Sequence, residues 1–549
     1  MVMKRLQKWK WIFHPFLFAS YAALSLMAQN RAQFQTQGVR AMVLSVCLSL
    51  LLWIFLRLVV RDMEKASLIT SLTVILFFSY GHVKNVILAS RLPLDFFAQD
   101  AFLAPLWLFI LGFWTYWVVK KDMSVARVTS YFNGVGLILI LFPLYSLLTF
   151  RGQSVAVDPW VQQFVAQTWL DSDVNDLEDR MASISTEPLP DIYLIVLDAY
   201  ARADILEELY GYDNSDFIAF LEERGFYVAE GSLANYTDTE LSVSSVLNMS
   251  HLSDMATFFR RNVGVDDEGV LRNVATQMLK DNRVRDLLNQ QGYSLVVFDS
   301  GYDPTTIEDA DVFVQSLEVD EAGLWQVGFE LMLLDTSLGQ IYLRLRGEDY
   351  APLQKMFTAH RERVLFTLAN LAKYADAEGQ YFVYAHIVSP HTPYVFGPNG
   401  EEIKGVDPYT LLDAHPGSEE NIALYRGQVH HINSLLMQAI DQILERSDVP
   451  PIIILQSDHG GKVYRGLDPP NSMRMNLLFP ILNAYHFPNG RYEQLYPTIT
   501  PVNSFRVVFN TFFHTELDLL DDNSYILEIK DGRAEFVDAC AVYQACPSE

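Results

Sequence analysis

The 549 residues include 40 Lys and Arg and 66 Asp and Glu, a formal net charge of −26, and half of the chain is hydrophobic. The charge is unevenly spread: residues 1–150 hold 14 basic and 5 acidic side chains, which leaves 26 and 61 for the rest. A part that acidic repels polyanions and excludes nucleic acid as a partner, but it selects no other, because a charge excess that only keeps a domain soluble looks the same.

Five apolar stretches precede residue 151, at 11–27, 41–60, 66–80, 101–119 and 131–150. Most approach the roughly 20 residues that cross a bilayer core, although the third is short and the first contains Pro15. Further apolar runs follow the first, and no small-residue cleavage pattern ends it, so it reads as a span and not as a cleaved signal peptide. Trp9, Trp11, Trp117 and Tyr131 fall near span ends, where amphipathic rings sit in the interface. Basic residues cluster in alternate segments: Lys4, Arg5, Lys8 and Lys10, then Arg57, Arg61 and Lys65, then Lys120, Lys121 and Arg127. The positive-inside rule makes these cytoplasmic. Five crossings then predict a multi-pass cell-membrane protein with a cytoplasmic N-terminus and an extracytoplasmic remainder. The intervening loops are less basic, holding Arg31 and Arg40, then Lys84 and Arg91 offset by Asp95 and Asp100.

Residues 151–190 read as a connector. Trp160, Phe164, Val165, Trp169 and Leu170 share one side of a helix there, which either lies on the membrane or packs on the domain that follows. Beyond it, apolar runs at 192–197, 294–298, 381–385, 451–455 and 480–485 predict strands, and 216–224, 355–374 and 424–446 predict helices. Continuous apolar strands alternating with helices imply a sheet covered on both faces, an α/β sandwich over 191–515, with 516–549 as a C-terminal tail. Cys47 lies in an apolar run; Cys540 and Cys546 are six apart, either a disulfide stapling the tail or two thiols.

Three predicted strands end in chemistry-bearing residues. The first ends in Asp198, the fourth in Ser457-Asp458-His459-Gly460-Gly461, and the third in His386-Ile-Val-Ser-Pro-His391-Thr-Pro393. In an open α/β sheet the C-terminal strand ends converge on the ligand crevice, and two carboxylates with an imidazole suit Zn²⁺ or Mn²⁺. Each piece alone is weak: an acid after a strand is commonly a helix cap, and DHGG or a His before Thr-Pro can be a turn. Their joint occurrence on successive strand ends carries the reading.

In this combination the chain resembles the alkaline phosphatase superfamily in its sulfatase-like branch. Within that branch it is similar to membrane-bound lipoteichoic acid synthases and phosphoethanolamine transferases, which place a five-helix bundle before the catalytic domain. The resemblance implies an N-terminal five-helix transmembrane bundle over 1–150 and an alkaline-phosphatase-like α/β/α sandwich over 191–515. It also implies a divalent metal, Zn or Mn, held by Asp198, Thr239, Asp458 and His459. The nucleophile is placed by matching Thr239-Glu-Leu-Ser242-Val243 to the transferases' Thr-x-x-Ser-Val turn; Thr237 is the competitor but leaves no Ser three residues on. A Ser/Thr-rich helix start with Thr239 as a cap is the structural alternative, and the two roles are compatible. The implied chemistry is transfer of a phospholipid headgroup through phospho-Thr239 to an envelope glycan or lipid. His391 would bind phosphate or serve the leaving group, and His386 would stand behind it.

The chain departs from those transferases in one respect: no His follows the Asp-His pair within residues 462–476. Lys462, Arg465 and Arg474 are the phosphate-binding candidates left there, Arg474 foremost. The transferases' several disulfides are absent too, which leaves the headgroup open. Sulfatase chemistry is disfavoured, since Thr239 cannot become formylglycine and no Cys lies between 48 and 539. A metal-dependent phosphodiesterase or phosphatase remains the rival, because transfer to water needs only an accessible phospho-Thr.

Overall fold

The computed structural model describes residues 11–31, 35–89, 95–120, 125–169, 189–316, 324–346, 351–403, 417–462 and 477–543. It divides into two compact units, Met1–Gly152 with Trp325–Tyr350, and Gln153–Leu324 with Ala351–Glu549.

The first unit is helical because its apolar sequence must satisfy every backbone donor and acceptor within the segment. Its helices are α1 (His14–Gln29), α2 (Gln35–Val60), α3 (Met63–Ala89), α4 (Asp100–Lys120) and α5 (Val125–Trp169). Among the described residues four helices, α2 to α5, are long and apolar enough to cross a membrane, while α1 spans 16 residues. Pro15 sits in the first turn of α1, where a missing N–H breaks no helical bond. The third apolar stretch, short in sequence, becomes a helix of 27 residues. Small side chains bring the helices together: Ala19 and Ala23 of α1 are fully buried.

Helix α5 has no break at residue 150 and continues to Trp169. Its last turns belong to the second unit, where Val157, Val161 and Phe164 are buried and the Phe164 ring lies 5.1 Å from Phe258 and 5.7 Å from Phe259. Of the two readings of this amphipathic stretch, packing on the following domain is the one observed for Phe164; the Trp169 and Leu170 side chains lie outside the described residues.

One element was not foreseen. Two helices, Leu324–Asp335 and Gly339–Arg346, leave the second unit in sequence and belong to the first. Phe329 and Leu333 pack with Ala23, Leu26, Met27 and Ala41. The Leu338 N–H donates to the Phe77 carbonyl at 2.7 Å. Gly81 is required at this contact, since a Cβ there would stand 2.5 Å from the backbone of Thr336.

The second unit is built on β1 (Ile192–Asp198), β2 (Tyr227–Val228), β3 (Ser294–Phe298), β4 (Val312–Val314), β5 (Tyr381–Pro390), β6 (Ile452–Ser457) and β7 (Asn483–His486). They form one sheet in the order β2-β7-β6-β1-β5-β3-β4, parallel except for β7. Ile192, Leu194 and Val196 of β1 join the core with α6 (Thr239–Asn248), the helix Arg283–Gln290 and the helix Ser504–Phe512. On β5, the helices Ala351–Asn370 and Glu419–Arg446 pack as well. All seven residues of β1 are buried, as continuous apolar strands require in a sheet covered on both sides.

The stretch 516–549, expected as a tail, contains a hairpin of β8 (Tyr525–Lys530) and β9 (Arg533–Asp538). Asp531 and Gly532 connect the strands with φ of 51° and 76°, the left-handed pair that a two-residue Asp-Gly turn supplies. Tyr525 N–H donates to the Asn235 carbonyl at 2.8 Å, so the hairpin braces the segment leading into α6. Cys47 is a free thiol and Cys540 is disulfide-bonded; Cys546 lies outside the described residues.

Candidate metal centre

The three central strands β6, β1 and β5 deliver their C-terminal ends to one place. Leu197 is in register with Ser457, so Asp198 and Asp458 emerge side by side, whereas β5 runs on to Pro390 and His386, paired with Val196, lies within the strand and not at its end as the sequence implied. Ala199, next after Asp198, adopts a left-handed φ of 64°, an unfavourable conformation for a residue with a Cβ. The Tyr425 hydroxyl holds this turn by donating to Ala199 O at 2.8 Å and accepting from Ala201 N at 3.2 Å. On β6 the Ser457 hydroxyl accepts from Tyr200 N at 2.8 Å and lies 2.8 Å from the carbonyls of Leu197 and His459.

The glycines after the Asp-His pair are there for space. A Cβ on Gly460 would stand 2.2 Å from the Leu477 carbonyl oxygen, and one on Gly461 would stand 2.4 Å from the Tyr210 hydroxyl. Gly460 N–H donates to Leu478 O at 2.7 Å, which turns the chain back beneath His459.

Helix α6 carries Thr239 at its first position and is buried along its whole length. Ser242 Oγ donates to the Asp458 carbonyl at 2.6 Å and pins the helix start to the end of β6. Among the described residues no side chain caps this N-terminus, so its free N–H groups and dipole are directed at the site.

The side chains meet at one point. His459 Nε2 lies 3.5 Å from Asp198 Oδ1, 3.4 Å from Asp458 Oδ2 and 3.5 Å from Thr239 Oγ1. These separations are long for hydrogen bonds, yet they match the edges of a tetrahedron: donors about 2.0–2.2 Å from a central ion stand about 3.3–3.6 Å apart. Asp198 Oδ1, Asp458 Oδ2 and His386 Nε2 are buried without a hydrogen-bond partner among the described residues. Orphaned polar atoms of this kind are costly unless something occupies the space between them. The residues fit a divalent cation.

Protonation agrees with that fit. The His459 Nδ1–H faces the Gly460 carbonyl at 2.9 Å, which leaves the Nε2 lone pair toward the carboxylates. Burial lowers the pKa of His459 and of His386 to about 4, so both rings are neutral near pH 7. His386 Nδ1 lies 2.8 Å from Thr305 Oγ1, whose own proton has an acceptor in Tyr302 O at 3.1 Å; its Nε2 lies 3.8 Å from Asp198 Oδ2. Burial and then Asp458 push the Asp198 carboxyl well above its usual range. Burial pushes Asp458 the same way, but His459, His386 and Lys462 hold it below. Of the two carboxyls, Asp198 therefore holds a proton the more strongly when nothing cationic lies between them.

His391 is placed by its N–H, which donates to Asp198 O at 3.0 Å, and its ring centroid lies 6.3 Å from that of His459. Nδ1 faces the Thr392 carbonyl at 2.7 Å, and burial and then Lys462 lower its pKa to about 3. His391, Thr392, Tyr425 and Lys462 line a small pocket beside the centre. Arg474 and Arg465 lie outside the described residues, whereas Lys462 is described and acts on Asp198, Asp238, Asp458 and His391. Arg202, four residues beyond Asp198, is ion-paired with Asp204 at 2.7 Å.

A second set of residues was missed in the sequence. Asp238 and Glu240 flank Thr239, and both bind the Arg272 guanidinium, at 2.8 and 2.9 Å, together with Glu268 at 2.8 Å. The Tyr302 hydroxyl lies 3.4 Å from Glu240 Oε2. Arg272 comes from the helix Glu268–Lys280, some thirty residues beyond Thr239, and no spacing rule connects the two.

No family model matches the sequence, and no curated protein matches it. Solved structures similar to the chain include the integral membrane lipooligosaccharide phosphoethanolamine transferase A from Neisseria meningitidis, at 11% identity and a TM-score of 0.37, over 91% of this chain and 94% of that one. The C-terminal periplasmic domain of the phosphoethanolamine transferase EptC from Campylobacter jejuni aligns at 14% identity and a TM-score of 0.36, over 60% of this chain and 92% of that one. The phosphonate monoester hydrolase of Agrobacterium radiobacter aligns at 13% identity and a TM-score of 0.36, over 62% and 82%.

Proposed function

We propose that the protein is a membrane-bound, metal-dependent phosphoryl-group transferase that moves a phospholipid headgroup, of the phosphoglycerol or phosphoethanolamine type, to an extracytoplasmic glycan or lipid. The observation that carries this reading is the convergence of Thr239 Oγ1, His459 Nε2 and the orphaned oxygens of Asp198 and Asp458 at ion-ligand spacing. Asp198, Asp458, His459 and Thr239 would hold the cation, Zn or Mn, with His386 Nε2 facing the same space. A bound divalent ion lowers the pKa of a coordinated hydroxyl and offsets charge on phosphoryl oxygens.

In the first half-reaction Thr239 Oγ attacks the phosphorus of the lipid phosphodiester. An O–P bond forms to Thr239, the P–O bond to diacylglycerol breaks, and the threonine proton passes to the departing oxygen with His391 Nε2 as carrier. In the second half-reaction the acceptor hydroxyl attacks phospho-Thr239, the Thr–P bond breaks, and the acceptor's proton returns to Thr239. The α6 N-terminus and the Lys462 ammonium attract the phosphoryl oxygens. Arg272 positions Thr239 by neutralising Asp238 and Glu240, which would otherwise repel the anionic substrate.

Loop charge supports an extracytoplasmic catalytic unit, and the disulfide at Cys540 suits an oxidising compartment. The test uses the purified full chain with labelled phosphatidylethanolamine or phosphatidylglycerol and Zn²⁺ or Mn²⁺. A headgroup-phosphate mass on the Thr239 peptide, absent in Thr239→Ala, supports the reading and identifies the donor. Headgroup release with no adduct, undiminished in Thr239→Ala, overturns it. An adduct that transfers only to water assigns the protein as a phosphodiesterase instead.

A further inference from the structure

The excursion at 324–346 contributes nothing to the metal centre, yet the chain passes between the two units at both of its ends. Its first helix has 12 residues, about 18 Å, too short to cross a hydrocarbon core of about 30 Å. The buried side of this helix, Phe329 and Leu333, packs on α1 and α2 through Ala23, Leu26, Met27 and Ala41. The chain turns at Thr336–Leu338 and a second helix follows.

The depth of this second helix is set by an ion pair. Helix α4 has 21 residues, about 32 Å, which matches the hydrocarbon thickness, so Asp100 at its start marks one boundary of the core. Asp100 binds Arg344 of the second helix, Lys84 Nζ at 2.9 Å and the Tyr80 hydroxyl at 2.8 Å. The helix Gly339–Arg346 is therefore tied at the boundary plane. Gln340 and Leu343 are buried, while Leu345 is 81% and Tyr342 48% exposed, and the Arg346 guanidinium lies over the Tyr342 ring at 5.8 Å. Its outward face thus combines an aliphatic, an aromatic and a cationic side chain at the level where such groups partition between acyl chains and phosphates.

We infer that residues 324–346 form a re-entrant hairpin whose second helix rests in the lipid interface, with Leu345 and Tyr342 among the upper acyl carbons and Arg346 at phospholipid phosphates. A second copy of the chain is disfavoured as the occupant, because two apolar side chains supply far less than the roughly 800 Å² per partner of a stable interface. The inference is independent of the chemistry at Thr239 and holds whether or not the protein is a transferase.

The test is a depth measurement on the full chain in vesicles of phosphatidylethanolamine and phosphatidylglycerol. Leu345→Cys in a Cys47→Ser background carries an environment-sensitive fluorophore, and Lys530→Cys, exposed on the β8–β9 hairpin, serves as the aqueous control. Because Leu345 is already largely exposed, its replacement leaves the fold intact. The expected result is quenching by lipid spin-labelled at acyl carbon 5 that exceeds quenching at carbon 12 about twofold or more, with iodide quenching well below that of the control. Iodide quenching equal to the control, without lipid quenching, would place the helix in water and overturn the inference. Strongest quenching at carbon 12 would overturn the interfacial depth. Loss of both kinds of quenching, with disulfide cross-linking between two copies of the unlabelled Leu345→Cys variant, would assign the face to a second copy.

Discussion

Replacing Asp198 by Asn separates the metal centre from an ordinary buried polar cluster. The ligand atoms of Asp198, Asp458 and His459 lie within 4.8 Å of one another. Two carboxylate charges at that separation repel by about 3.5 kcal/mol at an effective dielectric constant of about 20. Burial and Asp458 push the Asp198 carboxyl up, so in the metal-free protein the ionised form of Asp198 is disfavoured. An Asn keeps the shape and removes the charge, so Asp198→Asn should stabilise the chelator-stripped protein by about 2–3 kcal/mol, read as a thermal midpoint several degrees higher. Added Zn²⁺ at about 100-fold over Kd should stabilise the wild-type protein by about 2.7 kcal/mol and the variant far less, because one ligand is gone. The stability order therefore inverts when metal is added. The assay is thermal unfolding in detergent at pH 8, with chelator and then with Zn²⁺. A stripped variant less stable than the stripped wild type, or an equal gain from Zn²⁺ in both, would refute the reasoning.

Three further outcomes are expected. Ser242→Ala removes the 2.6 Å bond to the Asp458 carbonyl and leaves that oxygen short of a donor; it should cost about 1–3 kcal/mol and weaken metal binding, measurable by titration calorimetry. Arg272→Met leaves Asp238 and Glu240 without their cation and should destabilise by about 3–5 kcal/mol, while Arg272→Lys recovers part of the loss; equal midpoints for Met and Lys would remove the electrostatic role. His360 is fully buried, and burial followed by Arg363 lowers its pKa to about 3, against 6.5 for the free side chain. Between those values the unfolded chain binds a proton that the folded one refuses, so stability falls as pH drops below 6.5. His360→Leu should abolish about 2 kcal/mol of the loss between pH 7.5 and pH 5, and an unchanged acid slope would show that His360 does not cause it.

Much of the sheet was legible because its central strands are uninterrupted apolar runs. The runs at 192–197, 294–298 and 381–385 lie in β1, β3 and β5, the run at 451–455 lies in β6 except for Pro451, and the run at 480–485 overlaps β7 only from Asn483 on. β2 and β4 were not, since two and three residues carry no usable periodicity. The β8–β9 hairpin announced itself by Asp531-Gly532 between alternating residues, a signal that was present and passed over. The excursion at 324–346 was hidden for a different reason. Its apolar helix is shorter than a span, and what places it in the bundle is a backbone approach that only Gly81 permits, some 250 residues earlier in the chain.

The candidate site divides in the same way. Strand ends announce Asp198, Asp458 and His459, because topology alone carries the ends of adjacent parallel strands to a common edge; His386 lies inside β5, which runs five residues past its predicted end. Thr239 needed a motif, since the loop before α6 brings it from outside the sheet. Sequence could not supply the protonation pattern, which depends on carbonyls at Gly460 and Thr392 and on the Thr305 hydroxyl, contacts set by backbone turns. Nor could it supply Arg272, whose approach to Asp238 and Glu240 depends on how two helices cross. Yet these contacts determine whether two carboxyls, three imidazoles and a hydroxyl behave as ligands. Neutral imidazoles with their outer nitrogens already bonded present lone pairs, and a carboxyl held low by its neighbours stays anionic. Thr239, set at a helix start with its flanking acids paired to Arg272, would meet an anionic substrate with less repulsion. In the function proposed above, the arrangement would suit a cation and a phosphoryl group together.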